Sequence, residues 1–119
     1  MDWSDGSLAD GLRCYRAGEY FAAHEHWELV WLKSAEPEKT FVQALIQVTA
    51  AFEHWRRGEP EGTASLLRRA LGRLERYPAE FGGVDVERLR GELRAWVAAL
   101  AEGETDGLEI PTLHRAHAR

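Results

Sequence analysis

From about Glu38 to Arg57 the chain carries apolar side chains in nearly every direction around a helix. Phe41, Val42, Leu45, Ile46, Val48, Phe52 and Trp55 leave little of the cylinder polar when successive residues turn by about 100°. A helix of this kind has to be covered on most of its sides, which makes it a central element. The remaining sequence supplies the cover. Apolar residues recur there at steps of three and four, and no run of alternating β-branched residues bounded by turn signals competes with them. The fold class is therefore all-α: a five-helix array of antiparallel helical hairpins followed by an extended C-terminal segment.

Glycine and proline punctuate this pattern. A first helix runs from about Ser7 to Ala17, with Ser7 as cap, Leu8, Leu12 and Tyr15 inward, and Gly18 as a left-handed stop. A second covers Tyr20 to about Lys33 and ends at Ser34-Ala35-Glu36-Pro37, since proline cannot continue the hydrogen-bond ladder. Gly58 ends the central helix, and Pro60 opens a fourth, to about Tyr77, with Leu66, Leu67, Ala70, Leu71 and Leu74 inward. After a turn through Pro78, Gly82 and Gly83, Asp85 caps a fifth helix ending near Ala101, whose core face is Leu89, Leu93, Trp96, Val97 and Leu100. Leu108, Ile110 and Leu113 are wasted unless the last segment lies extended against the bundle. Residues 1–6 and 114–119 are expected as loose ends, with His114 and His117 solvated and Trp3 packed either on the bundle or on a second subunit. Arg16-Ala17-Gly18-Glu19 and Arg57-Gly58-Glu59 echo each other about 40 residues apart, a spacing compatible with tandem hairpins. Ala22–Trp27 also resembles Ala50–Trp55, but at a different period, so at most one echo marks a duplication.

At 119 residues the chain fits one domain, and 45% hydrophobic residues beside 29% charged ones is globular composition. No apolar run approaches the roughly 20 residues of a membrane span. The N-terminus lacks the basic and apolar stretches of a secretory signal, so the cytoplasm is the expected compartment. Cys14 stands alone, which excludes an internal disulfide and a multi-cysteine metal site, and its helical setting points to an inert buried thiol. A net charge of −5 speaks against non-specific nucleic-acid binding. Arg68, Arg69, Arg73 and Arg76 gather on the fourth helix, where a solvated face is the plain reading and an anionic partner the sharper one.

The chemistry concentrates in the second helix. Tyr20, Phe21, His24, Trp27, Glu28 and Trp31 fall on one side of it, so an imidazole and a carboxylate stand among aromatics and need partners. On the third helix Gln43, Gln47, Ala50 and His54 follow steps of four, three and four along one stripe. The economical arrangement sets the two stripes face to face. Three readings follow: a buried network that only fixes helix docking, a divalent-metal site built on His24, Glu28 and His54, and a pocket for a small polar ligand lined by Gln43, Gln47, His54, Tyr20 and Trp31. If the site is catalytic, Glu28 is the expected general base, raised by apolar neighbours, with His24 as acid or orienting partner. No nucleophile, phosphate-cradling loop or nucleotide fingerprint is present. Glu25 and His26 turn away toward the surface.

Gly18, Tyr20-Phe21, Ala23-His24-Glu25, Glu28 and Trp31, followed by Leu45-Ile46-Gln47, Ala50-Ala51 and His54, resemble the signature of the small helical proteins known as domain of unknown function 309. Gly58, Gly62 and Ala64 match a later block in part, with Glu59 where asparagine is common. The resemblance spans about Leu8 to Leu74. It implies an all-helical array and a site at His24, Glu28, Gln47 and His54, and brings no activity with it. Two functions compete on these grounds. One is a cytoplasmic protein binding a small polar ligand or a divalent metal, in a hydrolytic role at the furthest. The other is a tetratricopeptide-like interaction module in which the polar cluster is structural. Its weakness is that it has two hairpins where such arrays need about three repeats. An exposed Trp or leucine patch would make a homodimer reasonable.

Overall fold

Each helix starts and stops where local chemistry allows. The computed structural model describes residues 1–116, and within them α1 spans Gly6–Arg16, α2 Tyr20–Lys33, α3 Glu38–Arg56, α4 Pro60–Leu74 and α5 Val86–Glu102. Asp85 caps α5 by accepting the Arg88 N–H at 3.0 Å. Ser7 is not the cap of α1, which begins one residue earlier behind Asp5. The fourth helix stops at Leu74, three residues short of the expected end, where Arg90 Nη1 takes the carbonyls of Leu74 and Tyr77 at 2.9 and 2.8 Å.

Consecutive helices pack side by side, α1 on α2, α2 on α3, α3 on α4 and α4 on α5. The third helix is central, as its all-round hydrophobicity requires. Phe41, Val42, Ala44, Leu45, Val48, Ala51 and Phe52 are fully buried between α2 and α4. Thr49 survives there because its hydroxyl donates to the Leu45 carbonyl at 3.0 Å.

The turns α1–α2 and α3–α4 are the same object built twice. Glu19 N donates to Cys14 O at 2.8 Å and Gly18 N to Tyr15 O at 3.0 Å; Glu59 N donates to His54 O and Gly58 N to Trp55 O, both at 3.0 Å. Gly18 and Gly58 hold φ of 78° and 74°, the left-handed helix stop in which a side chain costs about 1–2 kcal/mol. Burial repeats with the same offset of 40 residues. Leu8, Ala9, Gly11 and Leu12 of α1 correspond to Val48, Thr49, Ala51 and Phe52 of α3, and Ala23 and Trp27 of α2 to Thr63 and Leu67 of α4, all buried. The Gly-Glu echo is thus matched in three dimensions.

Two features depart from the expected all-helical layout, and both involve the ends. Gly82 and Gly83 turn a minimal antiparallel hairpin, β1 (Glu80–Phe81) on β2 (Val84–Asp85). The C-terminal segment lies across the array as expected, but it does not come loose at residue 114. Tyr15 Oη donates to Pro111 O at 2.5 Å, and Arg16 reaches the carbonyls of Thr112 and Leu113 at 2.8 Å each. Asp85 N then takes His114 O, and Ala116 N takes Gly83 O, both at 2.9 Å. His117 lies outside the described residues. The N-terminal end is held too. Trp3 is buried on the bundle, with its indole N–H on Gly82 O at 2.6 Å. No helix among the described residues is long and apolar enough to cross a membrane.

Candidate functional site

The first turns of α2 and the last turns of α3 leave a cleft of about 180 Å³ between them, lined by Tyr20, Phe21, His24, Ala50, Glu53 and His54. Ala50 contributes only a methyl group to the α3 wall, between the longer side chains of Glu53 and His54 and those of α2. Tyr20 is buried and Phe21 exposed, so the cleft has an aromatic floor and an aromatic lip.

Each imidazole is backed by a carboxylate. His54 Nδ1 lies 2.8 Å from Glu59 Oε1, and His24 Nδ1 lies 3.4 Å from Glu28 Oε2. A carboxylate facing Nδ1 favours the tautomer with its proton there and leaves Nε2 with a free lone pair. The His54 ring is thereby oriented with Nε2 as its acceptor, whereas the His24–Glu28 contact is an ion-pair distance without a hydrogen bond. Gly62, in the first turn of α4, lets the His54 ring settle. A Cβ at that position would stand 2.9 Å from His54 Nδ1. Glu53 is paired with Arg57 at 3.4 Å. The Arg56 guanidinium lies over the Tyr20 ring, 4.6 Å from its centroid. Burial raises the Tyr20 hydroxyl above its usual range, and Arg56 offsets part of that rise.

Of the residues singled out from sequence, Tyr20, His24 and His54 share the cleft, and Glu28, Gln43, Gln47 and Trp31 do not line it. Glu28 is 54% exposed at the edge of α2, so the apolar surroundings that would make it a base are missing, and its geometry suits orienting His24. Gln47 faces α4, where its Oε1 accepts Arg73 Nε at 3.1 Å. The stripe on α3 rides the seam between α2 and α4, and at position 47 the charged donor on the α4 side wins. The expected network of two amides with His24 and Glu28 is thus replaced by a Gln–Arg bond. Gln43 is half-buried, about 16 Å along the helix from His54. Trp31 stacks under Lys39, with Nζ 4.2 Å from the ring centroid, and its buried indole N–H has no hydrogen-bond partner among the described residues.

The metal reading fares similarly. Among the described residues no three His, Cys, Asp or Glu side chains are grouped to hold a metal ion, and His24, Glu28 and His54 accordingly do not converge. Cys14 is half-buried and free. Sequence reasoning missed Glu53, Glu59 and Arg56. Glu59 was legible only as a turn residue, although the left-handed stop at Gly58 is what swings it back onto His54.

Residues 8–66 match the model of the family described as Domain of unknown function (DUF309), and over that stretch the chain belongs to it. The match covers α1, α2, α3 and the start of α4, hence every residue of the cleft. An uncharacterized protein of Aquifex aeolicus (strain VF5) is 28% identical over 92 residues, which cover 76% of this chain and 26% of that protein. The chain thus spans about a quarter of the length of that relative.

Proposed function

We propose that the cleft between α2 and α3 binds a small polar organic ligand, with Nε2 of His24 and His54 accepting its hydrogen bonds and Tyr20 and Phe21 holding its apolar part. The observation that carries this reading is the convergence of two carboxylate-backed imidazoles, from two different helices, on one partly apolar hollow. A divalent metal is the weaker version, because the third ligand it needs, Glu28, is turned to solvent. Glu28 and Glu59 act as orienting groups. Hydrolysis would enter through a water activated at one Nε2, since no Ser, Thr or Cys lines the cleft. A cytoplasmic compartment suits a chain whose single cysteine offers no internal disulfide.

Nuclear magnetic resonance screening with a panel of small amides, ureas and amines, and with Zn²⁺ as a separate arm, tests the proposal. Bound compounds should shift Tyr20, His24 and His54 together, and His24→Ala with His54→Ala should weaken them about tenfold or more, the loss of two hydrogen bonds of about 0.5–1.5 kcal/mol each. Hits that map elsewhere, or that ignore the double substitution, would sink it. Zn²⁺ binding that needs Glu28 would restore the metal version.

A second reading, the interaction module, is favoured by a separate observation. Phe21, Leu29 and Leu32 on α2 are 68%, 51% and 62% exposed.

A further inference from the structure

The outer face of α2 has the spacing of a helix-pairing seam with the wrong residues for pairing with itself. Phe21, Glu25, Glu28 and Leu32 step by four, three and four, the repeat that keeps one stripe facing a partner helix. The helix buries Tyr20, Ala23 and Trp27 against α1 and α3, roughly opposite that stripe at 100° per residue. All four stripe residues are exposed, and Leu29 widens its C-terminal half. Leu29 and Leu32, three residues apart on the helix and both exposed, form an adjoining apolar pair, and contiguous exposed apolar surface marks contact sites.

The two acids decide what fits. If a second copy docked antiparallel on this stripe, Phe21 would meet Leu32 at each end, but Glu25 would face Glu28 twice in the middle. If it docked parallel, each acid would face its own copy. Like charges at seam positions oppose pairing and are how helices exclude wrong partners. His24 shields Glu28 only weakly, from 3.4 Å and in a solvent-open pair. Lys33, at the C-terminal end of α2, is the one Lys or Arg of this helix and follows Leu32 off the line. A partner with apolar residues at the ends and Lys or Arg at the two middle positions satisfies both features at once.

We infer that α2 docks an amphipathic helix with a basic centre, from another protein, along Phe21, Glu25, Glu28, Leu29 and Leu32. This rests on the interaction reading and names the partner's chemistry. The stripe also abuts the cleft through Phe21, which lines both, so a docked helix would cover one wall of the ligand site.

The test uses the full chain and two fluorescein-labelled 18-residue amphipathic helical peptides with leucines at the outer seam positions, one with lysines and one with glutamates at the two central ones. Fluorescence anisotropy should show the lysine peptide binding at least tenfold more tightly than the glutamate peptide, with backbone shifts confined to α2. Leu29→Asp with Leu32→Asp should abolish that binding, and Glu25→Lys with Glu28→Lys should reverse the preference. A glutamate peptide that binds better on α2 would overturn the basic-partner inference and leave the interaction reading standing. If neither peptide binds, both lose this face. Sedimentation velocity that finds a dimer removed by Leu32→Asp would make the occupant a second copy and overturn the inference as well, and so would capture by zwitterionic phosphatidylcholine vesicles.

Discussion

The first and second helical hairpins share a backbone and differ in what they hang on it. Position 14 is a cysteine and position 54 a histidine, and in both turns the carbonyl of that residue takes the N–H of the glutamate five residues on. Only the second hairpin adds a side-chain clasp, His54 on Glu59 at 2.8 Å. Gly18 lies beneath the Arg56 side chain, whereas a Cβ added at Gly58 would meet nothing within 4 Å. The repeated turn is thus a scaffold without chemistry of its own. The candidate site arises where the hairpins meet, because the opening of α2 brings Tyr20 and His24 to the end of α3 with Glu53 and His54.

The sharpest way to break the correspondence is at positions 11 and 51. The first hairpin pairs the smallest residue with the largest, Gly11 lying against the fully buried Trp27 indole, where the second has Ala51 and Leu67. A Cβ at Gly11 would fall inside the indole, which has no space to retreat. Gly11→Ala is expected to cost about 3 kcal/mol, the upper end for overpacking, and to lower Tm by roughly 10 °C. Trp27→Leu should cost less in the Gly11→Ala background than in the native chain, a coupling that a double-mutant cycle in urea measures. Additive costs would mean that the two hairpins are not packed by complementary sizes.

A smaller effect sharpens the comparison at the turns. Alanine at Gly18 or Gly58 has to adopt a left-handed backbone, at about 1–2 kcal/mol. At Gly58 that is the whole cost. At Gly18 the new Cβ would also stand 2.7 Å from Arg56 Nη2, so Gly18→Ala should lose a few tenths of a kcal/mol more. Replacing Arg56 by alanine should remove the excess. Equal costs in the native background, read from denaturant midpoints, would show that the guanidinium simply moves aside and that the turns are energetically identical.

Much of this architecture was readable because its determinants are local. Gly18, Pro37, Gly58 and Pro60 act within one turn of where they stand, and the bounds they set for α2 and α3 agree with the structure to within one residue. The hairpin at Glu80–Asp85 was not readable, since two residues per strand carry no periodicity. His114 looked free, and the neighbour of Trp3 stayed open between the bundle and a second subunit, for a related reason. What holds them is backbone contributed from Gly82 and Asp85, far away in sequence. The candidate site was half legible. Periodicity put Tyr20, His24 and His54 on the faces that meet, but it fixes only the face and not the neighbour chosen at a seam, which is how Gln47 went to Arg73. Glu53 escaped notice because it lies off the stripe, and it reaches the cleft from its edge.

The smallest effect lies where positions 15 and 55 diverge. Trp55 meets Trp96 edge-on at 5.2 Å, while Tyr15 gives its hydroxyl to the Pro111 carbonyl, near the carboxyl group of Glu92. Glu92 is half-buried, and its Oε1 has no hydrogen-bond partner among the described residues. Burial lifts its pKa above the ordinary 4.5, with Asp85 adding to the rise and Arg88 and His114 opposing it. A carboxyl whose folded value is raised binds more protons in the folded chain than in the unfolded one. Its stabilising contribution is complete below about 4.5 and is lost as pH climbs through the raised value. Glu92→Gln should therefore match the native chain at acid pH and exceed it in stability at neutral pH, the gap opening just above the ordinary glutamate range. The gain stays modest because solvent reaches much of the side chain. Urea unfolding from pH 3.5 to pH 7.5 checks this, and a native chain that gains on the Gln variant as pH rises would show that Arg88 and His114 outweigh burial.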